Sequence, residues 1–308
     1  MNVLLIGYGS IGARHASLLA EKNHTLTVVS RNPECPFQIV LPTIDDALAQ
    51  GFYDAALVAN PTASHYEALL ALRNGGFRGP VLVEKPLFDC LPKALDAKTG
   101  EGVHVAYNLR QHPLLQRMKS ILEGRTLYSA MAYVGQYLPD WRPGRDYRLC
   151  YSAHKEQGGG VLRDLSHELD YLQWITSPWK AVTAIGGHFS HLEISSDDVF
   201  GLMWRSERCP LVQVELNYLD RAQPARREVI VNAEGMTVKG DLIAGALTVN
   251  NETPEYFSLE RNRLYRSQLT SWLSGEHTFL CSFADALNTV ALIEAAETAA
   301  ATETWVSR

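Results

Sequence analysis

The cysteines of this chain lack any pairing pattern. They stand at positions 35, 90, 150, 209 and 281, which is an odd number of scattered positions that never reach CxxC spacing. This usage disfavours a disulfide framework and a Cys-rich zinc site. We therefore expect reduced thiols, no bound metal and a cytoplasmic location.

The sequence also lacks long apolar runs and an excess of basic charge. No apolar stretch approaches the ~20 residues that span a bilayer, and no basic segment precedes the first apolar run, so we expect no membrane span and no signal peptide. The net charge is −6, from 28 basic and 34 acidic side chains. This balance argues against a surface that coats nucleic acid, and a small molecule is the expected partner.

What the sequence does contain is a dinucleotide-binding opening. Residues 3–6 form a short apolar run, which Gly7, Gly9 and Gly12 follow at GxGxxG spacing before apolar residues recur at helical spacing. In such a strand, turn and helix, the first glycine permits the tight turn, the second leaves room for a pyrophosphate, and the third allows close packing of helix on strand. The N–H groups at the helix start then face the phosphates.

The end of the second predicted strand, residues 25–30, bears on the choice of cofactor. A carboxylate at this place accepts from a free ribose 2′-OH, whereas arginine or a small hydroxyl suits a 2′-phosphate. This chain has Ser30 and Arg31 and no carboxylate before Glu34. The pattern favours NADP(H) over NAD(H), although Arg31 is alternatively a solvated loop residue.

The pattern of elements changes near residue 118. Before it, helices and strands alternate; we predict helices at 45–50, 65–74 and 114–122, and strands at 54–59, 81–83 and 103–107. After it, strands follow with few helices, as in an antiparallel sheet; we predict them at 126–137, 180–189, 199–205, 211–219, 228–233 and 242–250. The chain of 308 residues thus predicts two domains. They are an α/β Rossmann dinucleotide-binding domain (1–118) and an α+β domain (119–308). The second is an open mixed, largely antiparallel sheet with helices on one face, and its C-terminal helix (283–301) packs back toward the first domain.

Two polar groups stand at the predicted carboxyl edge of the first sheet. Lys85 follows the strand at 81–83, and Pro86 keeps it out of helical geometry. Its ammonium can bind a substrate oxygen and stabilise a developing alkoxide, or it is simply exposed on a turn. His65 lies in the first turn of a helix where Ser64 and Glu67 fit a capping box; it is either functional or a surface or capping residue.

A third stretch has the composition of a proton-transfer site. Three glycines at 158–160 precede a predicted helix on which Asp164, His167 and Asp170 lie three apart, along one face. A carboxylate beside a histidine can fix the imidazole tautomer and raise the pKa toward neutrality. The alternative is a polar helix face on which a histidine pairs with an aspartate.

The connection at 137–148 concentrates arginine in a protein that is acidic overall. Arg142, Arg145 and Arg148 accompany Trp141 and Tyr147. Guanidinium forks match carboxylate or phosphate, and aromatic faces stack on sugar rings or bases. A long connection before the histidine helix suits a substrate pocket, so we predict an anionic sugar, either a sugar acid or a nucleotide-linked sugar. Alternatively, the arginines pair with the acidic residues Asp140, Asp146 and Glu156 and only fix the loop.

The uncovered face of the second sheet predicts a homo-oligomer, a homodimer or homotetramer. We assign to that face the apolar alternating positions Val182, Ile185, Val212, Val214, Leu216, Val229 and Val231. Such an area exceeds what a monomer usually exposes, and a symmetric copy would bury it.

Taken together, these stretches resemble the glucose–fructose oxidoreductase / inositol dehydrogenase (Gfo/Idh/MocA) family over almost the full length. The resemblance lies in GYGSIGARH (7–15), NPTASH (60–65), EKP (84–86), YNLRQHP (107–113), GGGVLRDLSHELD (158–170) and FADAL (283–287). The family departs from this chain by commonly placing three residues, rather than two, between Asp164 and His167. The Ser-His-Glu-Leu-Asp-Tyr variant resembles a subgroup associated with surface-polysaccharide and nonulosonic-sugar pathways.

The resemblance implies an NAD(P)-dependent oxidoreductase of sugars or cyclitols. It makes Lys85 the lysine that binds the reacting hydroxyl, His167 the acid–base and Asp164 the carboxylate near the substrate, with the role of Asp164 in question because of its spacing. The residues expected at the cofactor are Gly7, Gly9, Ser10, Ile11, Gly12, Ser30, Arg31, Asn60, Pro61, His65, Glu84 and Lys85. Those expected at the substrate are Lys85, Asn108, Trp141, Arg142, Arg145, Tyr147, Asp164 and His167.

Two classes of function remain open on the sequence. One is an enzyme that transfers a hydride between nicotinamide and a secondary alcohol or ketone. The other is a non-catalytic protein that senses a nucleotide or sugar on the same scaffold, which fold alone does not exclude. The presence of both Lys85 and His167 favours the enzyme, because a sensor has no chemical need for either. A reductase of another substrate class is a third reading.

Overall fold

The computed structural model describes residues 1–250, 252–258, 260 and 262–308. It divides into two compact units. Unit 1 comprises Met1–Gln111 and Arg261–Leu287, and unit 2 comprises His112–Glu260 and Asn288–Arg308. The first unit is therefore built from two separate stretches of the chain.

The helices and strands of the described residues are numbered in chain order. The α-helices are α1 (Ser10–Ala20), α2 (Ile44–Gln50), α3 (His65–Asn74), α4 (Pro113–Ile121), α5 (Val161–Asp164), α6 (His167–Thr176), α7 (Arg263–Ser274) and α8 (Phe283–Thr302). The strands are β1 (Asn2–Ile6), β2 (Thr25–Val29), β3 (Val40–Leu41), β4 (Ala55–Val58), β5 (Val81–Val83), β6 (Val103–Val105), β7 (Leu127–Gly135), β8 (Trp179–Gly187), β9 (Val199–Ser206), β10 (Val212–Asn217), β11 (Arg226–Ala233), β12 (Met236–Asp241), β13 (Ala246–Val249), β14 (Glu255–Tyr256), β15 (Cys281–Ser282) and β16 (Val306–Ser307).

Unit 1 is a parallel sheet in the order β15-β6-β5-β4-β1-β2-β3, in which β15 alone runs antiparallel to its neighbour among the described strands. The central strands β1, β4 and β5 are almost wholly buried apolar runs, as a sheet covered on both faces requires. This is the expected Rossmann-type fold. Its order places the carboxyl ends of β1, β4 and β5 side by side, which brings the segments beginning at Gly7, Ala59 and Glu84 to one edge.

Unit 2 is a mixed sheet in the order β14-β13-β12-β11-β7-β10-β9-β8-β16. Strands β7 and β10 run parallel, and the other described pairs run antiparallel. Helices α5 and α6 pack on the strands in the middle of the sheet, and α4 packs on β12 and β13. The open mixed, largely antiparallel sheet predicted from the sequence is confirmed.

The assignment of apolar residues to the uncovered face is wrong. Val182, Val212, Val214, Leu216, Val229 and Val231 are all buried, and only Ile185, at 78% exposed, lies open to solvent. The buried six alternate with half-buried or exposed positions and pair in register with buried residues of β7 and β9. The exposed face carries Met131 and Met203 on either side of Gln213.

The unit boundary also differs from the predicted division at residue 118. Helix α4 belongs to unit 2, and α7 with β15 belongs to unit 1. Neither α7 nor β12 is predicted from the sequence, and the strand predicted at 242–250 is reduced to β13. Of helix α8, residues 283–287 belong to unit 1, where the Phe283 ring meets the Phe88 ring edge-on at 6.1 Å, and the rest belongs to unit 2.

Candidate active site

The glycine turn after β1 has the geometry that close phosphate binding needs. Gly7 has a positive φ of 96°, and a Cβ there would lie 2.5 Å from the backbone nitrogen of Asn60. A Cβ on Gly12 would collide with the carbonyl oxygen of Gly7, which explains how closely α1 packs on the turn. A Cβ on Gly9 would meet nothing within 4 Å, so the backbone there is open to an incoming ligand.

The first turn of α1 is likewise suited to an anion. The helix begins at the exposed Ser10, and Gly9 is its N-cap. Within this described segment, no side chain caps the helix and no acidic side chain lies in its first turn. Ile11 packs against the core of unit 1 and anchors the turn. Helix N–H groups at such an end bind pyrophosphate well, so these residues fit a dinucleotide.

The segment after β2 forms a small polar turn. The Ser30 hydroxyl accepts from the Asn32 N–H at 3.0 Å, and the Asn32 side chain donates to the Tyr8 carbonyl at 3.0 Å and accepts from the Glu34 N–H at 3.0 Å. Arg31 is exposed and, among the described residues, has no ion-pair partner. Its guanidinium is therefore available to an anionic group at this edge of the sheet.

His65 is not a surface residue, because it is only 1% exposed, and it is the first residue of α3 rather than its N-cap. Nδ1 lies 3.1 Å from the carbonyl oxygens of both Pro86 and Leu87, and Nε2 lies 3.0 Å from that of Asn60. Burial lowers the pKa of His65, and these oxygens together with Glu84 oppose that change only in part. The capping box predicted for Ser64 is not formed, since no side chain caps α3.

The adjacent loop residues Asn60 and Pro61 remain predicted cofactor contacts. The Asn60 amide donates to the Ser64 carbonyl at 3.3 Å, and its backbone lies against Gly7. Pro61 is exposed immediately after it. The loop therefore packs directly on the glycine turn, where a bound dinucleotide would pass.

Glu84 is the buried neighbour of the half-buried Lys85. One carboxylate oxygen lies 2.7 Å from Nε2 of His15, on α1, and the other accepts the Lys85 N–H at 3.1 Å. Burial raises the pKa of Glu84, but the hydrogen bond and electrostatic effect of His15, with the Lys85 N–H, outweigh it and lower the pKa. The carboxylate is therefore ionised at neutral pH.

A second polar cluster in unit 1 surrounds Tyr265 of α7. The Arg14 guanidinium donates to its hydroxyl at 3.2 Å and lies 5.0 Å from the ring centroid, and the His15 ring meets the Tyr265 ring edge-on at 5.7 Å. Burial, followed by the charge of Glu84, raises the pKa of Tyr265, while the charge and hydrogen bond of Arg14, and then a hydrogen bond with the buried Asn108, oppose it. Sequence reasoning missed Tyr265 because α7 was not predicted.

Asp164 and His167 do not lie on one continuous helix as predicted. Asp164 is the last residue of α5, and His167 is the first of α6; Leu165 and Ser166 break the helix between them. Gly160, the N-cap of α5, has a φ of 121°, and a Cβ there would collide with the Asp197 carboxylate, which accepts the Leu162 N–H. His167 is half-buried and Asp170 is buried.

Tyr218 is a partner of Asp164 that sequence reasoning missed. Its hydroxyl donates to a carboxylate oxygen of Asp164 at 2.6 Å. Burial, and secondly the charge of Asp164, hold the pKa of Tyr218 well above its usual range, so the donor stays protonated. The Tyr218 ring meets Trp141 edge-on at 5.0 Å. No local pattern announces this pairing, because 54 positions separate the two residues.

The arginine-rich connection lines a cavity of about 330 Å³ within unit 2 that is open to solvent on one side. Trp141, Arg142, Arg145 and Tyr147 all line it, together with Leu138, Pro139, Asp146, Leu149, Cys150 and Ser152. Arg142 and Arg145 are exposed, and neither has an ion-pair partner in the described part of the chain. The Trp141 ring is fixed by donation to the Gln136 carbonyl at 3.1 Å.

Arg148 has a different role from the other two arginines. It pairs with Asp146 and with Glu193, each at 2.8 Å. These hydrogen bonds, Asp146 first, raise the pKa of Arg148 and lower that of Asp146. The alternative that the arginines pair with acidic residues and only fix the loop therefore applies to Arg148. It does not apply to Arg142 and Arg145, which line the cavity.

The described residues contain no group of three or more His, Cys, Asp or Glu arranged to hold a metal ion. Nor does any helix within them have the length and apolar character to cross a membrane. The first unit has the features of a dinucleotide-binding domain, and the second unit carries His167, Asp164 and exposed cationic side chains.

These features define a two-unit protein of the dinucleotide-dependent oxidoreductase class. Residues 1–99 match the oxidoreductase family with an NAD-binding Rossmann fold, and residues 115–238 match the GFO/IDH/MocA C-terminal domain. The chain belongs to the Gfo/Idh/MocA oxidoreductase family.

One similar curated protein is levoglucosan dehydrogenase of Pseudarthrobacter phenanthrenivorans. It is 27% identical over 144 residues, which are 42% of this chain and 34% of that relative. The match thus spans about a third of the relative's length.

Two similar solved structures cover the whole chain. GenD2 from gentamicin A biosynthesis, in complex with NAD, is 23% identical with a TM-score of 0.81 over 96% of its own chain. The WlbA dehydrogenase of Bordetella pertussis, in complex with NADH and UDP-GlcNAcA, is 19% identical with a TM-score of 0.79 over 97% of its chain. At these identities the likeness establishes the fold.

Proposed function

We propose that the protein is an NAD(P)-dependent oxidoreductase acting on a secondary alcohol, or the corresponding ketone, of a sugar or sugar derivative. The observation that carries the proposal is the glycine turn, with Gly9 open and Gly7 and Gly12 closely packed, in a chain of this family. Nicotinamide, when bound, supplies or accepts the hydride. The protein residues bind the substrate and move its proton.

Lys85 and His167 have the two roles that hydride transfer requires of the protein. The Lys85 ammonium binds the reacting oxygen and stabilises negative charge on it. The His167 imidazole takes the hydroxyl proton in oxidation and returns it in reduction. Asp164, held by Tyr218 at 2.6 Å, is a fixed carboxylate near the substrate, and either Asp164 or Asp170 supports His167.

The substrate we propose is an anionic sugar. Arg142 and Arg145 of the cavity, which have no ion-pair partner within the described residues, suit a carboxylate or phosphate, while Trp141 and Tyr147 offer faces for a ring. A similar protein is described with a nucleotide-linked sugar acid, and another with neutral levoglucosan. Both classes therefore belong in the assay, and the subgroup linked to surface-polysaccharide sugars stays a prediction.

The cofactor we propose is NADP(H) in preference to NAD(H). The exposed Arg31 and the Ser30 hydroxyl follow β2, at the position where an NAD(H)-specific protein has a carboxylate that binds the free ribose 2′-OH. We further propose a homodimer or homotetramer, formed on the exposed sheet face around Met131, Met203 and Ile185. Ile185 keeps its first assignment to that face, and Met131 and Met203 replace the six valine and leucine residues, which are buried.

The deciding experiment is a substrate panel. Neutral hexoses and inositols, sugar acids and nucleotide sugars are each mixed with NADP⁺ or NAD⁺, and the corresponding ketones with the reduced cofactors, while absorbance of the reduced nicotinamide is followed. The proposal expects turnover of an anionic sugar. Efficient turnover of neutral sugars alone would remove the anionic proposal. Cofactor binding without turnover of any class would favour a sensing protein.

A further inference from the structure

The segment that carries Lys85 is held from both sides by buried histidines. One histidine holds the residue before Lys85. Nε2 of His15, whose ring is 0% exposed, lies 2.7 Å from a carboxylate oxygen of Glu84. The second oxygen of that carboxylate accepts the Lys85 N–H at 3.1 Å. His15 on α1 thus reaches the Lys85 backbone through one side chain.

The other histidine, His65, holds the residues after Lys85, and its ring lies between two loops. Nδ1 is 3.1 Å from the carbonyl oxygens of Pro86 and Leu87, the next two residues after Lys85. Nε2 is 3.0 Å from the carbonyl oxygen of Asn60. We assign the ring proton to Nδ1, because it faces two acceptors; Nε2 is then unprotonated and donates no hydrogen bond to the Asn60 carbonyl. His65 therefore ties the Lys85 segment to the start of α3.

Neither histidine is placed to contact a ligand, since both rings are enclosed by protein. Burying polar groups is unfavourable unless each finds a partner, and apolar side chains would fill the same space at lower cost. The hydrogen bonds that these rings do form instead restrict a segment to one arrangement. The restricted segment here is the one that bears Lys85.

We propose that His15 and His65, which we term the histidine clamp, are positioning residues that fix the Lys85 backbone relative to the glycine turn. His15 belongs to the helix that follows the glycine turn, and His65 begins α3 directly after the loop of Asn60, whose backbone lies against Gly7. The clamp therefore links the Lys85 backbone both to α1, which follows the glycine turn, and to the start of α3, after the loop that packs on that turn. This inference rests on the proposed role of Lys85 at the reacting oxygen.

The clamp is tested by the reactivity of the Lys85 amine in the full-length protein. Acetylation by acetic anhydride is measured by peptide mass spectrometry, as the rate at Lys85 divided by the rate at the exposed Lys180 of unit 2. His65→Asn keeps an amide N–H near the Nδ1 position, whereas His65→Gln places it near Nε2. Similarly, His15→Gln keeps an N–H near Nε2, and His15→Ala removes it.

The expected result is a rise in the Lys85 ratio of about fivefold in His65→Gln and His15→Ala, as for loss of one hydrogen bond. His65→Asn and His15→Gln should remain close to the unsubstituted protein. Thermal midpoints of the paired variants serve as controls, because a purely structural role would change reactivity only in proportion to stability. If one histidine pair does not fold, the other pair decides.

Equal Lys85 ratios in all four variants, or a ratio that follows thermal stability alone, would overturn the clamp. A reversed order, with His65→Gln restored and His65→Asn raised, would overturn the assignment to the Lys85 segment. Titration with NADPH and NADH separates this from the proposed function. If the unsubstituted protein binds neither, the oxidoreductase proposal fails, while the Lys85 ratios still test the clamp.

Discussion

At the scale of single residues, Lys85 and His167 carry the chemical part of the proposed function. Lys85→Met removes the charge that binds the reacting oxygen, and His167→Ala removes the proton acceptor. Each should lower turnover by at least ~100-fold, the usual scale for a positioned acid–base. Cofactor dissociation constants should change little. The substrate identified by the panel provides the assay.

The matched controls for these two substitutions are Lys180→Met and His191→Ala, which change exposed residues of unit 2. Both controls should retain full turnover. If Lys85→Met is as active as Lys180→Met, the assignment of the reacting-oxygen contact to Lys85 is wrong.

Arg31 makes a separate residue-scale prediction about cofactor preference. A charge-assisted contact to a 2′-phosphate contributes roughly 1.5–3 kcal/mol, or about ten- to a hundredfold in affinity. We expect NADPH to bind more tightly than NADH, and Arg31→Ala to remove most of that difference while leaving NADH binding unchanged. Fluorescence titration measures both. Equal affinities for the two cofactors in the unsubstituted protein would contradict the prediction.

His104 makes the stability of unit 1 depend on acidity. Its ring centroid lies 4.2 Å from that of His277. Burial, and secondly the charge of His277, lower the pKa of His104 to about 4 from its usual 6.5. Between these values the unfolded chain binds a proton that the folded chain does not. The free energy of unfolding should therefore decrease as the pH falls through this window and level off below it.

Urea unfolding at a series of pH values measures this effect. His104→Gln, which does not titrate, should show a smaller loss of stability over the same window, and the exposed His191→Gln provides the control. An identical pH dependence in His104→Gln and the unsubstituted protein would show that His104 is not the responsible group.

At the scale of elements, the connection at residues 137–148 separates two kinds of arginine. Arg142 and Arg145 line the cavity without ion-pair partners in the described residues, whereas Arg148 pairs with Asp146 and Glu193. Arg142→Ala or Arg145→Ala should raise the Michaelis constant for an anionic sugar by about ten- to a hundredfold. Arg148→Ala is the matched control and should affect it least. A substrate whose Michaelis constant is indifferent to the first two would remove the anionic proposal.

The elements that the sequence predicts well are those with a strong local pattern. The β1 run, the glycine spacing and the amphipathic pattern of α8 are local features, and the structure places these elements within a residue or two of the prediction. Helix α7 is missed because polar and aromatic residues alternate in it, and its burial depends on α1 and the segment after β6. The Glu84–His15 contact spans 69 positions and Tyr218–Asp164 spans 54, so no window of sequence reveals them.

The break between α5 and α6 shows the limit of spacing arguments. Asp164, His167 and Asp170 have helical periodicity, yet Leu165 and Ser166 leave the helix between the first two. The extra constraint is tertiary, because Tyr218 holds Asp164 and Asp197 holds the start of α5. Chemistry-bearing residues were thus identified from the sequence, while their mutual arrangement was not.

At the scale of the whole molecule, the exposed sheet face predicts self-association. Met131 and Met203 lie across Gln213 on this face. In a symmetric interface, an aspartate at this position would bring a buried negative charge close to the same charge of the second copy. Met131→Asp should therefore shift the protein from oligomer to monomer in light scattering. The control is Phe52→Asp, at a 98% exposed position of unit 1. A monomeric mass for the unsubstituted protein at micromolar concentration would contradict the prediction.

The discontinuous make-up of unit 1 has a consequence for the order in which the chain acquires its shape during synthesis. Strand β15 pairs with β6, and α7 contributes Leu269 and Trp272 to the unit's core, yet both elements follow the whole first part of unit 2. Domains generally form as units while translation proceeds from the N-terminus. In a nascent chain that has reached only Gln111, β6 is still an edge strand. Its unpaired N–H and C=O groups can then form hydrogen bonds with a strand of another chain. The ribosome must therefore deliver more than 150 further residues before unit 1 is complete, and an edge strand left unpaired over that interval is a site at which a nascent chain can aggregate.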